Sequence, residues 1–190
     1  MNPNLIRGKK VVGSEGYILG EMNDIHVDYR NWEATAFSVM LSGEATTELN
    51  LKKPFLRKVI VYLPTDLIDA VGDVITLNAP LRSIKDIAEK EIQFEGERVE
   101  GKKVINPKGE TVGTVEGADV EVDDWKVTGL QVALTEWAAD DLGFRQPVTS
   151  KVVVVIPGSV VESISNFVTL DKSVKDLKSF IECIRSCQLK

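Results

Sequence analysis

The residues that most readily suggest chemistry lie in the stretch 8–20, GKKVVGSEGYILG, which contains four glycines and two lysines. A phosphate-binding loop has a similar composition, but it follows a buried strand and opens a helix at its last glycine. After Gly20 the sequence instead continues with strand-like residues, so no helix N-terminus is offered to a phosphate. We therefore expect a β-hairpin in which glycine takes the positive φ of the turn.

A second candidate site is the strip formed by Asp24, His26 and Asp28, which strand alternation places on one face. A metal would require these side chains to converge, yet same-face neighbours on a strand lie roughly 6.5–7 Å apart. We expect a solvated strand face, with a metal-dependent enzyme as the alternative. His26 is the only histidine, so a catalytic triad has no support. The corresponding residues of the second half are predicted to be Asp119, Glu121 and Asp123.

The two cysteines, Cys183 and Cys187, lie four residues apart near the C-terminus. They could supply two zinc ligands, but no further cysteine exists to complete such a site. We expect them to pack on the apolar face of a helix, in a reducing compartment.

The charge and hydropathy of the chain limit its partners. The net charge is −6, divided evenly between the two halves, and a surface of this sign repels nucleic acid. The N-terminal residues lack the apolar run of a signal peptide, and the longest apolar run, 152–156, is too short to span a bilayer. The sequence therefore predicts a cytoplasmic protein without nucleic-acid binding or membrane insertion.

The chain contains two tandem copies of one sequence unit. A shift of 93 residues brings three glycines of the stretch 8–20 into register with glycines of 101–113, and Trp32 into register with Trp125. The acidic strips align only if a local insertion of two residues is allowed. Further matching segments are 34–41 with 127–134, and 59–77 with 152–170. This repetition predicts two tandem copies of one domain, over 1–94 and 99–190, with a linker near 93–98.

Each copy is predicted to be mainly β, because short apolar runs alternate with Gly, Pro, Asn and Asp signals. Strands are expected near 9–13, 17–28, 34–42, 58–63 and 74–78, and near 102–106, 110–123, 127–135, 151–156 and 167–171. Residues 65–71 and 158–164 are expected to form a helical turn. A C-terminal helix is expected to close each copy, over 81–92 in the first and 173–187 in the second.

The predicted terminal helix of the second copy carries an apolar stripe and a capping residue, Ser173. The stripe consists of Val174, Leu177, Phe180, Ile181, Ile184 and Cys187. We take Phe180, Ile181 and Ile184 as candidate dimer contacts.

The loops between the third and fourth strands, 42–57 and 135–151, differ most between the copies and are longer than typical connections. They contain residue types that are favoured at the centres of protein interfaces. The candidate partner-binding residues are Phe55, Arg57, Trp137, Phe144 and Arg145. The alternative is that these aromatic side chains fold back onto their own domain.

With these features in place, each copy resembles the PRC-barrel family of small β-barrels. The resemblance rests on the order of four motifs in both copies. These are G-K-x-V-h at 8–12 and 101–105, G-x-x-h-G at 16–20 and 109–113, a D-h-x-h-D strand with a downstream tryptophan, and h-P-x-x-h-x-x-h-x-x-h-h-x-L at 63–77 and 156–170. The fold implied is two tandem small β-barrels, each closed by a C-terminal helix.

Proteins made of little beyond such barrels resemble archaeal cell-division adaptors of the CdpB type. The resemblance implies a non-catalytic adaptor that binds SepF, and through it the FtsZ ring, and that pairs with itself or a paralogue. It implies no cofactor and no catalytic residue. The alternative is a ribosome-assembly factor of the RimM type, although the separate N-terminal domain of those proteins has no counterpart in two copies of one unit.

Overall fold

The computed structural model describes residues 6–51, 58–88, 98–145, 150–185 and 188–189, with the backbone alone for 88, 182–185 and 188–189. The chain divides into two compact units. Unit 1 comprises Met1–Gly96 and Val122–Lys126, and unit 2 comprises Glu97–Glu121 and Val127–Lys190. Both units are mainly β, as the sequence predicts.

Unit 1 is built on one six-stranded sheet with two short helices. Its elements are β1 (Lys10–Val12), β2 (Ile18–Asp28), β3 (Glu33–Leu41), α1 (Gly43–Glu48), β4 (Ile60–Pro64), a 3-10 turn (Thr65–Leu67), β5 (Ile68–Val71), β6 (Ile75–Leu77) and α2 (Leu81–Ala88). The strand order is β4-β3-β2-β1-β6-β5. All neighbouring strands are antiparallel except β1 and β6, which run parallel.

The core of unit 1 lies on one face of this sheet, where alternate residues of the strands are apolar and fully covered. Phe37 at the centre of β3 has no exposed surface, and Ile84 of α2 packs into the same cluster. Burial of such side chains contributes about 1.5–3 kcal/mol each, which is why the alternation decides the register of the strands.

Among the described residues, unit 2 repeats the order of elements of unit 1 and has one further strand after its first helix and two after its last. Its elements are β7 (Lys103–Ile105), β8 (Thr111–Val120), β9 (Val127–Leu134), α3 (Glu136–Leu142), β10 (Phe144–Arg145), β11 (Val153–Pro157), a 3-10 turn (Gly158–Val160), β12 (Val161–Ile164), β13 (Val168–Leu170), α4 (Val174–Leu177), β14 (Glu182–Arg185) and β15 (Gln188–Leu189). The main sheet has the order β12-β13-β7-β8-β9-β11-β14, and β10 pairs with β15 separately.

The glycine-rich stretch is a hairpin in both units, which confirms the prediction. β1 and β2 pair antiparallel, and the Gly16 N–H donates to the Gly13 carbonyl at 2.9 Å. Gly16 has φ +82° and its counterpart Gly109 has φ +80°, a region that favours glycine. The chain continues from each turn into a strand and not a helix, and the Gly8, Gly13 and Ser14 amides donate to the carbonyls of Met22, Tyr17 and Ala79.

The predicted helix over 173–187 is wrong beyond its first turn. The Ser173 hydroxyl accepts a hydrogen bond from the Asp176 N–H, but α4 ends at Leu177. The chain then forms β14, antiparallel to β11. The residues 182–185, ECIR, are too few for either a strand or a helix period to be decided locally, and the open edge of β11 supplies the backbone partners that select a strand. The corresponding helix of the first copy is described over Leu81–Ala88 only, and the rest of 81–92 lies outside the described residues.

The helical turns predicted at 65–71 and 158–164 are correct only for their first three residues. Each becomes a strand, β5 or β12, that pairs antiparallel with the strand after it. Apolar pairs at turn-like spacing suggested one helical segment, but Ile68 and Val71 lie opposite Leu77 and Ile75 in a hairpin. This pairing satisfies backbone groups that a single helical turn would leave open.

Candidate functional site

The acidic strip of unit 1 does not converge on a common point. The Asp24 carboxylate pairs with the Arg7 guanidinium at 3.3 Å. Asp28 closes the β2–β3 turn, where it accepts hydrogen bonds from the Arg30 N–H at 2.9 Å and the Asn31 side-chain amide at 2.8 Å. The His26 ring instead packs edge-on against Tyr62, with centroids 5.0 Å apart. Each of the three side chains therefore has a separate structural role.

The predicted correspondence between the two acidic strips is wrong. Both β2 and β8 carry two breaks in register, and these fall at positions 93 residues apart, between 22 and 24 and between 26 and 27 in unit 1. No insertion is present, so His26 corresponds to Asp119 and Asp24 to Gly117. β8 ends at Val120, which leaves Glu121 and Asp123 outside the strand. The alternating acids of the second half misled the alignment because β-bulges conceal the register.

Within the described parts of the chain, no three His, Cys, Asp or Glu side chains are grouped as metal ligands would be. By its backbone, Cys183 lies in β14 rather than on a helix. Cys187 lies outside the described residues.

The loops after β3 and β9 each begin with a short helix. In unit 1 the Ser42 hydroxyl caps α1 by accepting from the Ala45 N–H at 3.0 Å. The helix starts are equivalent, because the Ser42 N–H donates to the Leu19 carbonyl and the Thr135 N–H donates to the Val112 carbonyl, again 93 residues apart. The two copies therefore present different side chains from the same backbone position.

The candidate partner-binding residues of unit 2 have different environments. Phe144 is buried, so this aromatic ring folds back onto its own unit, whereas Arg145 is exposed in β10. Trp137 is 38% exposed, and its indole N–H donates to the Thr111 carbonyl at 3.0 Å. Phe55 and Arg57 lie outside the described residues.

The candidate dimer contacts do not form a helical stripe. Phe180 is exposed in the turn after α4, and Ile181 is half-buried before β14. Ile184 lies in β14, where only the backbone is described.

Unit 1 has an open groove on its sheet surface, with a volume of about 390 Å³. It runs across β1, β2 and β3 to the start of α1. Ile18 and Met40 form apolar walls, and Lys10 and Lys58 place two cations at the rim, with Glu21 as the one acidic side chain that lines it. Gly20 also lines the groove, at a point where β2 approaches the Met40 carbonyl too closely for any side chain.

Large apolar side chains are exposed beside and within this groove. Ile18 is 47% exposed at its wall, and Ile60 and Tyr62 on β4 are 43% and 41% exposed. Ile60 lies directly opposite Met40 in the sheet. We refer to Ile18, Met40, Ile60 and Tyr62 as the apolar face of unit 1. Contiguous exposed apolar surface of this kind is typical of contact sites for other proteins.

The apolar face is not among the sites predicted from the sequence. A signal was present, since 60–64 reads IVYLP, with apolar residues at positions that face away from the core as well as towards it. A strand with one solvated face normally carries polar residues at those outward positions.

A scan against protein-family models and a search of curated proteins both gave no match to this chain. Within the described residues, none of the helices combines the length and apolar character needed to cross a membrane.

Proposed function

We propose that this chain is a non-catalytic protein–protein adaptor built from two PRC-barrel units, of the type found in archaeal cell division. The observation that supports the proposal most is the repetition of one β unit in a common register, with different surfaces on the two copies. A repeated module gives one chain two related contact surfaces, and catalysis would not require the second copy.

The chemistry of the described surface is consistent with this role. The acidic and histidine side chains of β2 are used in a surface ion pair, a turn and a ring contact. In contrast, the apolar face of unit 1 exposes aliphatic and aromatic side chains around an open groove. Exposed aromatic and aliphatic groups of this kind anchor protein partners, whereas a substrate site also needs convergent polar groups.

The proposed mechanism is geometric. Two linked units bind one partner assembly at two points, so that the second contact forms at the high effective concentration set by the linkage. The resemblance to division adaptors suggests SepF as the partner, with FtsZ reached through SepF, and a second copy or a paralogue as a further contact. The proposed location is therefore cytoplasmic, at the division site.

A titration of purified SepF into the full chain, followed by calorimetry, tests this proposal. We expect saturable binding at micromolar concentrations, and Ile60→Asp should weaken it at least about tenfold because a charge would replace an exposed apolar contact. Val74→Asp is the matched control, since Val74 is also exposed but lies in the β5–β6 turn. No saturable association at tens of micromolar would contradict the SepF assignment, and salt-dependent binding to ribosomal RNA would favour the assembly-factor alternative.

A further inference from the structure

In unit 2, the position that corresponds to the groove of unit 1 is covered by an aromatic side chain of the same unit. Trp137 is the second residue of α3, and its indole N–H donates to the Thr111 carbonyl at 3.0 Å. Thr111 begins β8, as Ile18 begins β2, and the two positions are 93 residues apart. In unit 2 the indole thus lies against β8, the counterpart of the strand β2 that forms the groove wall in unit 1.

Unit 1 lacks this aromatic side chain. The position equivalent to Trp137 is Glu44, the second residue of α1, which is exposed. Ile18 at the groove wall is 47% exposed, and no aromatic side chain of the described residues lines the groove beside it. The two helices start from the same backbone hydrogen bonds, so the difference comes from this substitution of side chain rather than from the fold.

The charged residues that line the groove indicate which residue types would flank an aromatic side chain bound there. Lys10 and Lys58 are exposed and line the groove together with Glu21, so the lining itself carries two cations and one carboxylate, on a chain of net charge −6. In unit 2 the residues around Trp137 are acidic, with Glu136 before it and Asp140 and Asp141 after it. An acidic segment with an aromatic residue matches the groove in both charge and shape.

We propose that the groove of unit 1 binds a partner protein through a tryptophan or phenylalanine side chain that is flanked by acidic residues. The aromatic ring packs between Ile18 and Met40, in the place that Trp137 occupies on unit 2, and the flanking carboxylates pair with Lys10 and Lys58. This assignment rests on the proposed adaptor function and specifies the chemistry of the partner segment.

The probe for the experiment is the peptide acetyl-TEWAADD-amide, which copies residues 135–141 and carries one tryptophan and three carboxylates. It is titrated into the full chain, labelled with ¹⁵N, and the amide signals of Gly20 and Gly43 report on the groove. We expect saturable shifts of these signals. The peptide acetyl-TEAAADD-amide should produce none, because it lacks the anchor.

Three variants decide the outcome. Glu44→Trp places an indole at the position equivalent to Trp137 and should abolish peptide binding, whereas Glu48→Trp, one turn further along α1, should not. The double variant Lys10→Glu, Lys58→Glu should weaken peptide binding at least about tenfold. It tests the groove assignment independently if Glu44→Trp does not fold. Thermal unfolding of each variant checks its integrity.

Several results would overturn the proposal. These are unchanged peptide binding in Glu44→Trp and in the double variant, shifts confined to signals outside the groove, and the absence of any binding.

Binding that appears only in Phe55→Ala would assign the groove to this chain's own segment 52–57 instead of a partner. If SepF binds wild type and Glu44→Trp equally, the groove assignment fails while the adaptor function stands. If the peptide binds but SepF does not, the groove stands and SepF is excluded as its partner.

Discussion

The start of α1 in unit 1 and the start of α3 in unit 2 share their backbone but differ in surface. Both helices follow a long central strand and begin with a hydroxyl residue, Ser42 or Thr135. Two residues later, unit 1 has Glu44 beside an open groove, and unit 2 has Trp137 lying on β8. The comparison shows that duplication preserved the hydrogen bonds and the register while the surface side chains diverged. In such a pair, function is to be sought where the copies differ.

The largest expected effect comes from a position where the copies agree. A Cβ atom at Gly20 would overlap the Met40 carbonyl oxygen, and one at Gly113 would lie 2.5 Å from the Ala133 carbonyl oxygen. Gly20→Ala and Gly113→Ala should therefore each lower the free energy of unfolding by about 2 kcal/mol or more, measured by urea denaturation. Gly117→Ala is the control, because a Cβ atom there meets nothing within 4 Å. Equal stability of all three variants would mean that the strands do not approach closely at Gly20 or at Gly113.

A smaller effect is expected from a lysine that both units use in the same way. The Lys9 ammonium donates to the Gly72 carbonyl at 2.5 Å, and the Lys102 ammonium donates to the Ser165 carbonyl, so each lysine holds a hairpin turn of its own unit. Lys9→Met and Lys102→Met should each cost about 1 kcal/mol of unfolding free energy, because a turn carbonyl loses its charged donor. Lys10→Met is the control, because Lys10 is the exposed neighbour of Lys9, and it should leave the midpoint of unfolding unchanged. A loss in only one unit would show that the lysine contact is not a common feature.

The smallest effect separates the units by pH. The Leu81 N–H donates to the Glu15 carboxylate at 2.7 Å at the start of α2, and this hydrogen bond lowers the pKa of Glu15. Unit 2 has Lys108 at the equivalent position. A carboxyl group whose pKa is lowered by folding contributes stability above its unfolded pKa of about 4.5 and loses it as the pH falls through the folded value.

Glu15→Gln should therefore make the unfolding midpoint less sensitive to pH as the pH falls below about 5, with a loss of at most about 1 kcal/mol at neutral pH since the group is exposed. Glu21→Gln, on the exposed face of β2, serves as the control. If wild type and Glu15→Gln lose stability in parallel over this range, the carboxylate does not contribute to the anchoring of α2.

The sequence predicted the parts of the fold that depend on local patterns repeated in both copies. The strands of the first hairpin and the long central strands were placed within a few residues, because glycines and alternating apolar residues recur at a fixed spacing. Residues 182–185 were assigned to a helix, since their partner β11 is 25 or more residues away in the sequence. A short strand that is stabilised mainly by pairing with a distant strand is hard to recognise from its own residues.

The candidate site was harder to predict for the same reason. Trp137 was selected by residue type, but the groove of unit 1 arises from residues of three strands and the end of a loop. Ile18, Met40 and Lys58 come together only through the register of the sheet, and the bulges in β2 shift that register by amounts that alternation does not reveal. The equivalence of Glu44 and Trp137 was nevertheless visible in the 93-residue shift.

The proposed adaptor function places the contact with a division protein at the groove and the apolar face of unit 1. The most direct measurement is the set of backbone amide signals of the ¹⁵N-labelled full chain that shift when unlabelled SepF is added. We expect saturable shifts at Ile18, Gly20, Gly43 and Ile60, with the corresponding signals of unit 2, such as Thr111, less affected. Shifts confined to unit 2, or no saturable change at any residue, would contradict this proposal.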